Sequence, residues 1–142
     1  MALPSVGGGY QPSDGNVNEV KLGTQATPAT VAAGNATLTA AQLVNGIILG
    51  SPGSSAAAYT LPTAADLDAY LANAHNGSSF DFSVINVDGS SSGVITMTTA
   101  TGWSIGTSGS QGLMTIAATA GTVRRFRAVR TGAAAWSLYA LS

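Results

Sequence analysis

From Ala29 onward the chain is a series of short apolar runs bounded by Gly, Ser, Asn or Asp, and only one stretch breaks the series with a helical repeat. That punctuation is the sequence sign of many short strands. The runs are Ala36–Ala40, Gly46–Gly50, Ala57–Leu61, Ser79–Val87, Gly93–Thr99, Gly102–Ile105, Leu113–Ala118, Thr122–Arg130 and Ala134–Leu141. Within Ser79–Val87, Phe80, Phe82 and Val84 fall on one face and Asp81 and Ser83 on the other, as the two-residue repeat of a half-buried strand requires. Beyond Val84 the alternation is lost, because Ile85 and Val87 are apolar on the opposite side. A strand apolar on both faces is either central in its sheet or part of a subunit contact. In the last run Trp136 and Leu138 share a face, with Ser137 and Tyr139 opposite.

The helical stretch lies at residues 63–75. Leu67, Tyr70, Leu71 and Ala74 recur at the spacing of one helix face. Thr63 is placed to cap its start, with Asp66 as a shorter capping-box partner than Glu or Gln. Leu61-Pro62 ends the preceding strand, and Asn76-Gly77 supplies a left-handed stop. The fold class expected is therefore mainly β: a single-domain β-sandwich or jelly-roll-like fold with one short helix, about 63–75. Residues 1–28 hold Pro4, Pro12, Pro28 and a triple glycine with no sustained period, and read as an extended N-terminal arm ahead of a β-rich domain, 29–142. Asp14, Glu19 and Lys21 are the arm's cluster of unlike charges, a solvated or docking segment.

Length and composition narrow the class further. A chain of 142 residues is the size of one domain. Gly, Ala, Ser and Thr make up more than half of it, so backbones can pack closely while each side chain buries little area. Charged residues are 8%, against about 25% in an ordinary soluble domain, which leaves the surface to hydroxyls, amides and backbone. The net charge of −1 argues against disorder of the whole chain, which pairs low hydrophobicity with strong net charge. With no cysteine, neither disulfides nor thiolate metal sites can support the fold. The first residues lack the basic stretch and apolar core of a signal peptide, so a cytoplasmic start is expected. The longest apolar stretch, Ala133–Leu141, is far short of the roughly 20 residues of a membrane helix, and no membrane partner is expected.

Several motifs invite a chemical reading. Gly102-Trp103-Ser104-Ile105-Gly106 matches the G-x-S-x-G nucleophile elbow, but the elbow needs a helix after it, and the next residues are the turn-rich Thr107–Gly112. No Asp, Glu or His lies downstream of Ser104, so the acid and base of an α/β-hydrolase cannot come after it in order. The expectation is a turn-flanked short strand placing Trp103 and Ile105 in the core. His75, the single histidine, sits at the end of the expected helix, where an imidazolium complements the helix dipole. It has no second histidine or cysteine with which to build a metal centre. Asp66 and Asp68 diverge by about 200° on a helix and cannot chelate one ion together. Asp88–Gly93 lacks the ligand spacing of a calcium loop and reads as a hairpin turn. Gly7-Gly8-Gly9 is followed by no phosphate-binding signature. No catalytic, metal or cofactor site is expected, and the protein is expected not to be an enzyme.

Charge is unevenly placed: all six acids lie at or before Asp88, while Arg124, Arg125, Arg127 and Arg130 fall on one expected strand. Arg125 and Arg127 share a face. They can grip carboxylates on a partner surface, or pair internally with Asp81 or Asp88 across the sheet. Nucleic-acid binding is not expected, because the chain is slightly acidic and no aromatics interleave the arginines.

The order of motifs resembles small β-domains of tailed-bacteriophage structural proteins, including the head decoration (cement) proteins. The resemblance is carried by Thr37-Leu38-Thr39-Ala40-Ala41-Gln42-Leu43-Val44-Asn45-Gly46-Ile47-Ile48, Tyr59-Thr60-Leu61-Pro62-Thr63-Ala64-Ala65-Asp66-Leu67, Phe80-Asp81-Phe82-Ser83-Val84-Ile85-Asn86, Gly102-Trp103-Ser104-Ile105, and Phe126 with Ala135-Trp136-Ser137-Leu138-Tyr139. It covers residues 36–141 and rests on ordered core patterns. It implies a homotrimer on the outer surface of a phage capsid, made in the bacterial cytoplasm, that stabilises the shell by bridging copies of the major capsid protein. On that reading Tyr10, Asp14, Glu19, Lys21, Arg125 and Arg127 are capsid-contact candidates, and Ile85 and Val87 are trimer-interface candidates. Similar domains occur in tail and fibre proteins. A receptor-binding role of that kind predicts exposed aromatics such as Tyr10, Tyr59 or Tyr139 on one rim.

Overall fold

The computed structural model describes residues 23–142. Strands β1 (Ala29–Val31), β2 (Ala36–Thr37), β3 (Ile47–Gly50), β4 (Ala57–Thr60), β5 (Ser79–Asn86) and β6 (Ile95–Thr98) alternate between two sheets; β7 (Trp103–Ser104), β8 (Thr115–Ile116), β9 (Thr122–Gly132) and β10 (Ala135–Ala140) complete them. The larger sheet runs β1-β3-β5-β9-β10-β7 and the smaller β2-β4-β6-β8. Strands β1, β3 and β5 are parallel neighbours, as are β2, β4 and β6. The first half of the chain thus winds as a coil, each turn laying one strand in each sheet. The second half reverses direction: β8 runs antiparallel to β6, β9 antiparallel to β5, and β10 folds back on β9.

Of the two arrangements expected, the sandwich is the one observed. Its parallel winding is not the antiparallel double Greek key of a jelly roll. Inward side chains from both sheets form one core: Val31, Ile48, Phe82, Val84, Phe126 and Leu138 from the larger, Ala57, Tyr59, Ile95, Met97 and Ile116 from the smaller. Phe82 stacks on Phe126 with ring centroids 5.4 Å apart. Small residues set the spacing. Gly50 is buried in β3, and a Cβ there would lie 2.5 Å from Ile95 Cδ1 and 2.9 Å from Tyr59 Cε2. Tyr59 uses its hydroxyl inside this core, donating to Val31 O at 3.3 Å. It is fully buried, so it is not one of the rim aromatics.

Each of the expected runs contains a strand, and β5 shows the anticipated alternation, with Phe82 and Val84 buried and Asp81 and Ser83 partly exposed. β5 lies between β3 and β9, the central position that its second apolar face allowed. Three expectations are corrected. Strand β1 forms where the sequence offered only the start of a domain, because it has β3 to pair with. The run Ala36–Ala40 stops being a strand after Thr37 and turns into helix α1 (Ala40–Val44), capped by a box in which Thr39 Oγ1 accepts from Gln42 N–H and Gln42 Oε1 accepts from Thr39 N–H. The expected helix is present as α2 (Ala64–Tyr70) but ends at Leu71, whose φ of −103° and ψ of 60° leave the helical region. His75 therefore lies in the turn beyond the helix, where its Nδ1 meets Ser78 Oγ at 3.3 Å, and it does not cap the last turn. Tyr70, placed by spacing on the apolar stripe, is 55% exposed, while Leu67 is fully buried.

Thr63 caps α2 as expected, its Oγ1 accepting from Asp66 N–H at 3.1 Å. Asp66 does not close a capping box; one methylene shorter than Glu, it accepts the Thr63 hydroxyl instead, at 2.7 Å. Both helices occupy crossovers from the smaller sheet to the larger and pack on one another around Ala40, Ala64 and Leu67.

Candidate interaction surface

The larger sheet buries one face against the smaller sheet and turns the other outward. Register across that outward face sets its chemistry. Thr30, Leu49, Ile85 and Val123 stand side by side on β1, β3, β5 and β9. The adjacent row is Ile47, Ser83 and Arg125, and the next is Asp81, Arg127 and Tyr139. A short apolar band, extended by Val87 just past β5, thus lies beside a charged cluster. Val123 and Val87 keep 54% and 41% of their surface exposed, while Ile85 is half-buried between its neighbours. The structure brings the trimer candidates Ile85 and Val87 onto the same face as Arg125 and Arg127. The remaining capsid-contact candidates, Tyr10, Asp14, Glu19 and Lys21, lie outside the described residues.

Arg125 and Arg127 converge on one carboxylate. Arg127 grips Asp81 bidentately, Nε to Oδ1 at 2.6 Å and Nη2 to Oδ2 at 2.9 Å, and Arg125 Nη2 donates to Oδ2 from the neighbouring row. Of the two roles open to these arginines, internal pairing with Asp81 is thus present. One carboxylate cannot neutralise two guanidiniums, so the cluster keeps a net positive charge. Both guanidiniums remain half-exposed. The Arg127 hydrogen bonds chiefly, with Arg125 adding, hold the Asp81 carboxyl down to about 2 against the opposing effect of its partial burial. Because that folded-state value lies below the ordinary 3.8, the stability it contributes is complete above about pH 4 and is lost as pH falls toward 2. Asp81→Asn is expected to flatten the fall in urea midpoint between pH 5 and pH 2, modestly because solvent screens the pair; an unchanged slope would show that the cluster adds no pH-dependent stability.

The other two arginines of β9 turn inward. Arg124 Nε donates to Thr115 O at 2.8 Å, tying β9 to β8. Arg130 reaches under α2, where Asp68 accepts from Arg130 Nε at 3.0 Å and Nη2 at 2.8 Å, from Trp136 Nε1 at 2.7 Å and from Ala134 N–H at 2.8 Å. These donors, Arg130 first, hold the Asp68 carboxyl well below the usual carboxylate range despite its partial burial. Sequence reasoning used Asp68 only to exclude chelation with Asp66. Its partners are more than sixty residues away, and nothing local announces them.

Next to this network is a cleft of about 400 Å³ lined by Val44, Tyr70, Leu71, Ala74, Phe80 and Trp136. Elsewhere the candidate motifs hold the fold together. Trp103 donates from Nε1 to Pro62 O at 2.7 Å, and Ser104 Oγ accepts from Gly106 N–H at 3.3 Å. The chain then enters a 3-10 turn, Thr107–Gly109, and not the helix of a nucleophile elbow. The motif's first glycine has its own structural reason: Gly102 has a φ of +86°, and a Cβ there would lie 2.4 Å from Ala134 O. Asp88 is a loop clamp, accepting from Ser51 Oγ at 2.6 Å and Gly53 N–H at 3.1 Å. Among the described residues no three His, Asp or Glu side chains cluster closely enough to hold a metal ion, and no helix is long and apolar enough to cross a membrane.

Compared with known proteins, the chain matches no family model, no curated protein and no solved structure.

Proposed function

We propose that the protein is a structural component of a tailed-phage virion, a decoration protein that binds the outer surface of the capsid as a homotrimer and bridges copies of the major capsid protein. The observation that carries this reading is the outward face of the larger sheet. An apolar band at Leu49, Ile85 and Val123 beside a net-positive Asp81/Arg125/Arg127 cluster suits contact with protein surfaces: the band for a seam between like subunits, the guanidiniums for carboxylates on the shell. The described side chains fit this passive role, since Ser104, His75 and Asp88 are each engaged with nearby groups of the fold. The protein acts through its surfaces, with no cofactor and no chemical step.

The test is particle reconstruction combined with solution mass. The wild-type chain is expected at the capsid surface, and in solution at three times the monomer mass. Ile85→Asp with Val123→Asp should reduce the solution mass to one chain, because six carboxylates would face each other across the seam. Arg125→Ala with Arg127→Ala should leave the trimer intact and lower capsid occupancy. A wild-type protein found on the tail or fibre, or one that binds a glycan array, would move the assignment to an adhesion domain. Tyr139, 37% exposed on the same face, is the aromatic that such a role would use.

A further inference from the structure

Asn45-Gly46 and Asn76-Gly77 are the Asn-Gly pairs of the sequence. With no Cβ to crowd its nitrogen, a glycine lets the asparagine before it close onto the backbone more readily than any other residue does. Both glycines are held at that nitrogen: Gly46 N–H donates to Leu43 O at 3.1 Å and Gly77 N–H to Arg130 O at 2.9 Å. The asparagines differ. Asn45 closes α1, its Oδ1 accepting from Gln25 Nε2 at 2.8 Å and its Nδ2 donating to Thr27 O at 3.0 Å, so its amide cannot turn without losing a bond at each end. Asn76 stands exposed in the turn between α2 and β5, and its Nδ2 has no hydrogen-bond partner among the described residues.

The bond that Asn76 does make favours reaction. Its Oδ1 accepts from Arg130 Nη1 at 3.0 Å. A guanidinium on the carbonyl oxygen draws electrons from Cγ, and its hold strengthens as negative charge grows on that oxygen during attack. What restrains the step is the Gly77 N–H bond to Arg130 O. Gly77 is itself exposed, and a bond in an exposed turn opens locally without unfolding the sheets. Asp88-Gly89, where the same ring closure would expel water, is guarded more fully: Gly89 is buried and its N–H donates to Asn86 Oδ1 at 2.7 Å, while both Asp88 oxygens accept bonds from the 51–53 loop.

We propose that Asn76 is a site of spontaneous deamidation in the folded protein, reacting ahead of Asn45. The Gly77 nitrogen gives its proton to solvent base and attacks Asn76 Cγ; the N–Cγ bond forms, the Cγ–Nδ2 bond breaks, and the amide nitrogen takes up a proton and leaves as ammonia. Water then opens the cyclic imide at either carbonyl, giving aspartate or its β-linked isomer, so water enters and ammonia departs with no oxidant or cofactor. Aspartate at this position sets a second carboxylate beside Arg130, across from Asp68, and turns the Nη1 contact into an ion pair. The β-linked isomer lengthens the main chain by one carbon. It therefore pulls on the two bonds that fasten the turn to β9, Gly77 N–H to Arg130 O and Arg130 N–H to Ser78 O, each 2.9 Å. Either product adds a negative charge to a chain of net −1, whatever surface the protein docks to.

Peptide mass spectrometry tests it on the full chain, aged folded at mildly alkaline pH in oxygen-labelled water. Asn76 is expected to exchange its amide for a labelled carboxylate at least about tenfold faster than Asn45, the equivalent of one further hydrogen bond holding the Asn45 amide. In strong urea the two rates should converge, because only the fold tells the pairs apart. Gln25→Ala, at an exposed position outside both pairs, should speed Asn45 and leave Asn76 unchanged. An Asn45 that reacts as fast as Asn76 in the folded wild type would overturn the proposal, as would an Asn76 that reacts in urea and stays intact in the fold. So would an Asn45 rate indifferent to Gln25→Ala, since the order of the two sites would then have another cause.

Discussion

Asp68→Ala is expected to lower the unfolding free energy by roughly 2–4 kcal/mol, more than any other single charge removal in the described chain. The carboxylate accepts four hydrogen bonds, and its loss leaves Arg130 Nε and Nη2 and the Trp136 indole N–H without partners beneath α2, while Arg130 Nη1 keeps its bond to Asn76 Oδ1 at 3.0 Å. Trp136 is only 1% exposed, so its N–H cannot turn to water without moving the ring out of the cluster around Ala64, Leu67 and Ala128. Arg130, with 14% of its side chain exposed, can recover part of its hydration, which keeps the expected value below that of a fully buried pair. Asp68→Asn should recover only part of the loss, since an amide has one acceptor oxygen where the carboxylate uses two. Urea denaturation followed by tryptophan fluorescence measures both variants. A midpoint for Asp68→Ala within error of wild type would mean that α2 is held by its apolar face alone.

Asn86→Ala is expected to destabilise by a similar amount, roughly 2–4 kcal/mol, at the opposite end of β5. Asn86 is fully buried, and its amide satisfies three backbone groups: Nδ2 donates to Gly93 O and to Ala117 O, each at 2.9 Å, and Oδ1 accepts from Gly89 N–H at 2.7 Å. It joins the turn after β5 to the loop after β8, beside the backbone bond that Gly121 N–H donates to Asn86 O at 2.7 Å. Asn86→Asp tests the polarity of the site as well as its shape: a carboxylate keeps the acceptor for Gly89 N–H but meets two carbonyl oxygens where the amide donated. Its destabilisation should therefore grow as pH rises through the carboxyl range, the reverse of what a surface Asp would do. A destabilisation of Asn86→Asp relative to wild type that is equal at pH 3 and pH 7 would refute the assigned hydrogen-bond directions.

How much of this was legible in the sequence depended on how far each decisive contact reaches along the chain. The strands were legible because alternation and turn residues act within a few positions; Phe80-Asp81-Phe82-Ser83-Val84 reads as a half-buried strand wherever it is placed. The start of α2 was legible for the same reason, as Thr63 caps a helix from three residues away. Helix α1 had an equally local signal, Thr39-Ala40-Ala41-Gln42, which the short apolar run overlapping it obscured. The premature end of α2 and the outward turn of Tyr70 were not legible, because spacing alone cannot tell which side of a helix finds a partner.

The candidate surface divides along the same line. Composition and spacing already put Arg125 with Arg127 on one strand face and Ile85 with Val87 on another, and left open whether the arginines face a partner or Asp81. Placing both pairs on one outward surface required the register of β5 against β9, which depends on contacts 36 to 50 residues apart in the chain. The winding order was likewise out of reach, since a short parallel strand and a short antiparallel one carry the same two-residue repeat. Periodicity and turn residues therefore establish that this chain is built from small-residue strands with one capped helix after Pro62, and they go no further. Long-range packing settles the rest: the parallel coil of the first six strands, the closure of Asp68 under Arg130, and the choice of the face left bare. Strand order is set by which apolar faces bury each other, and that choice is made between distant segments.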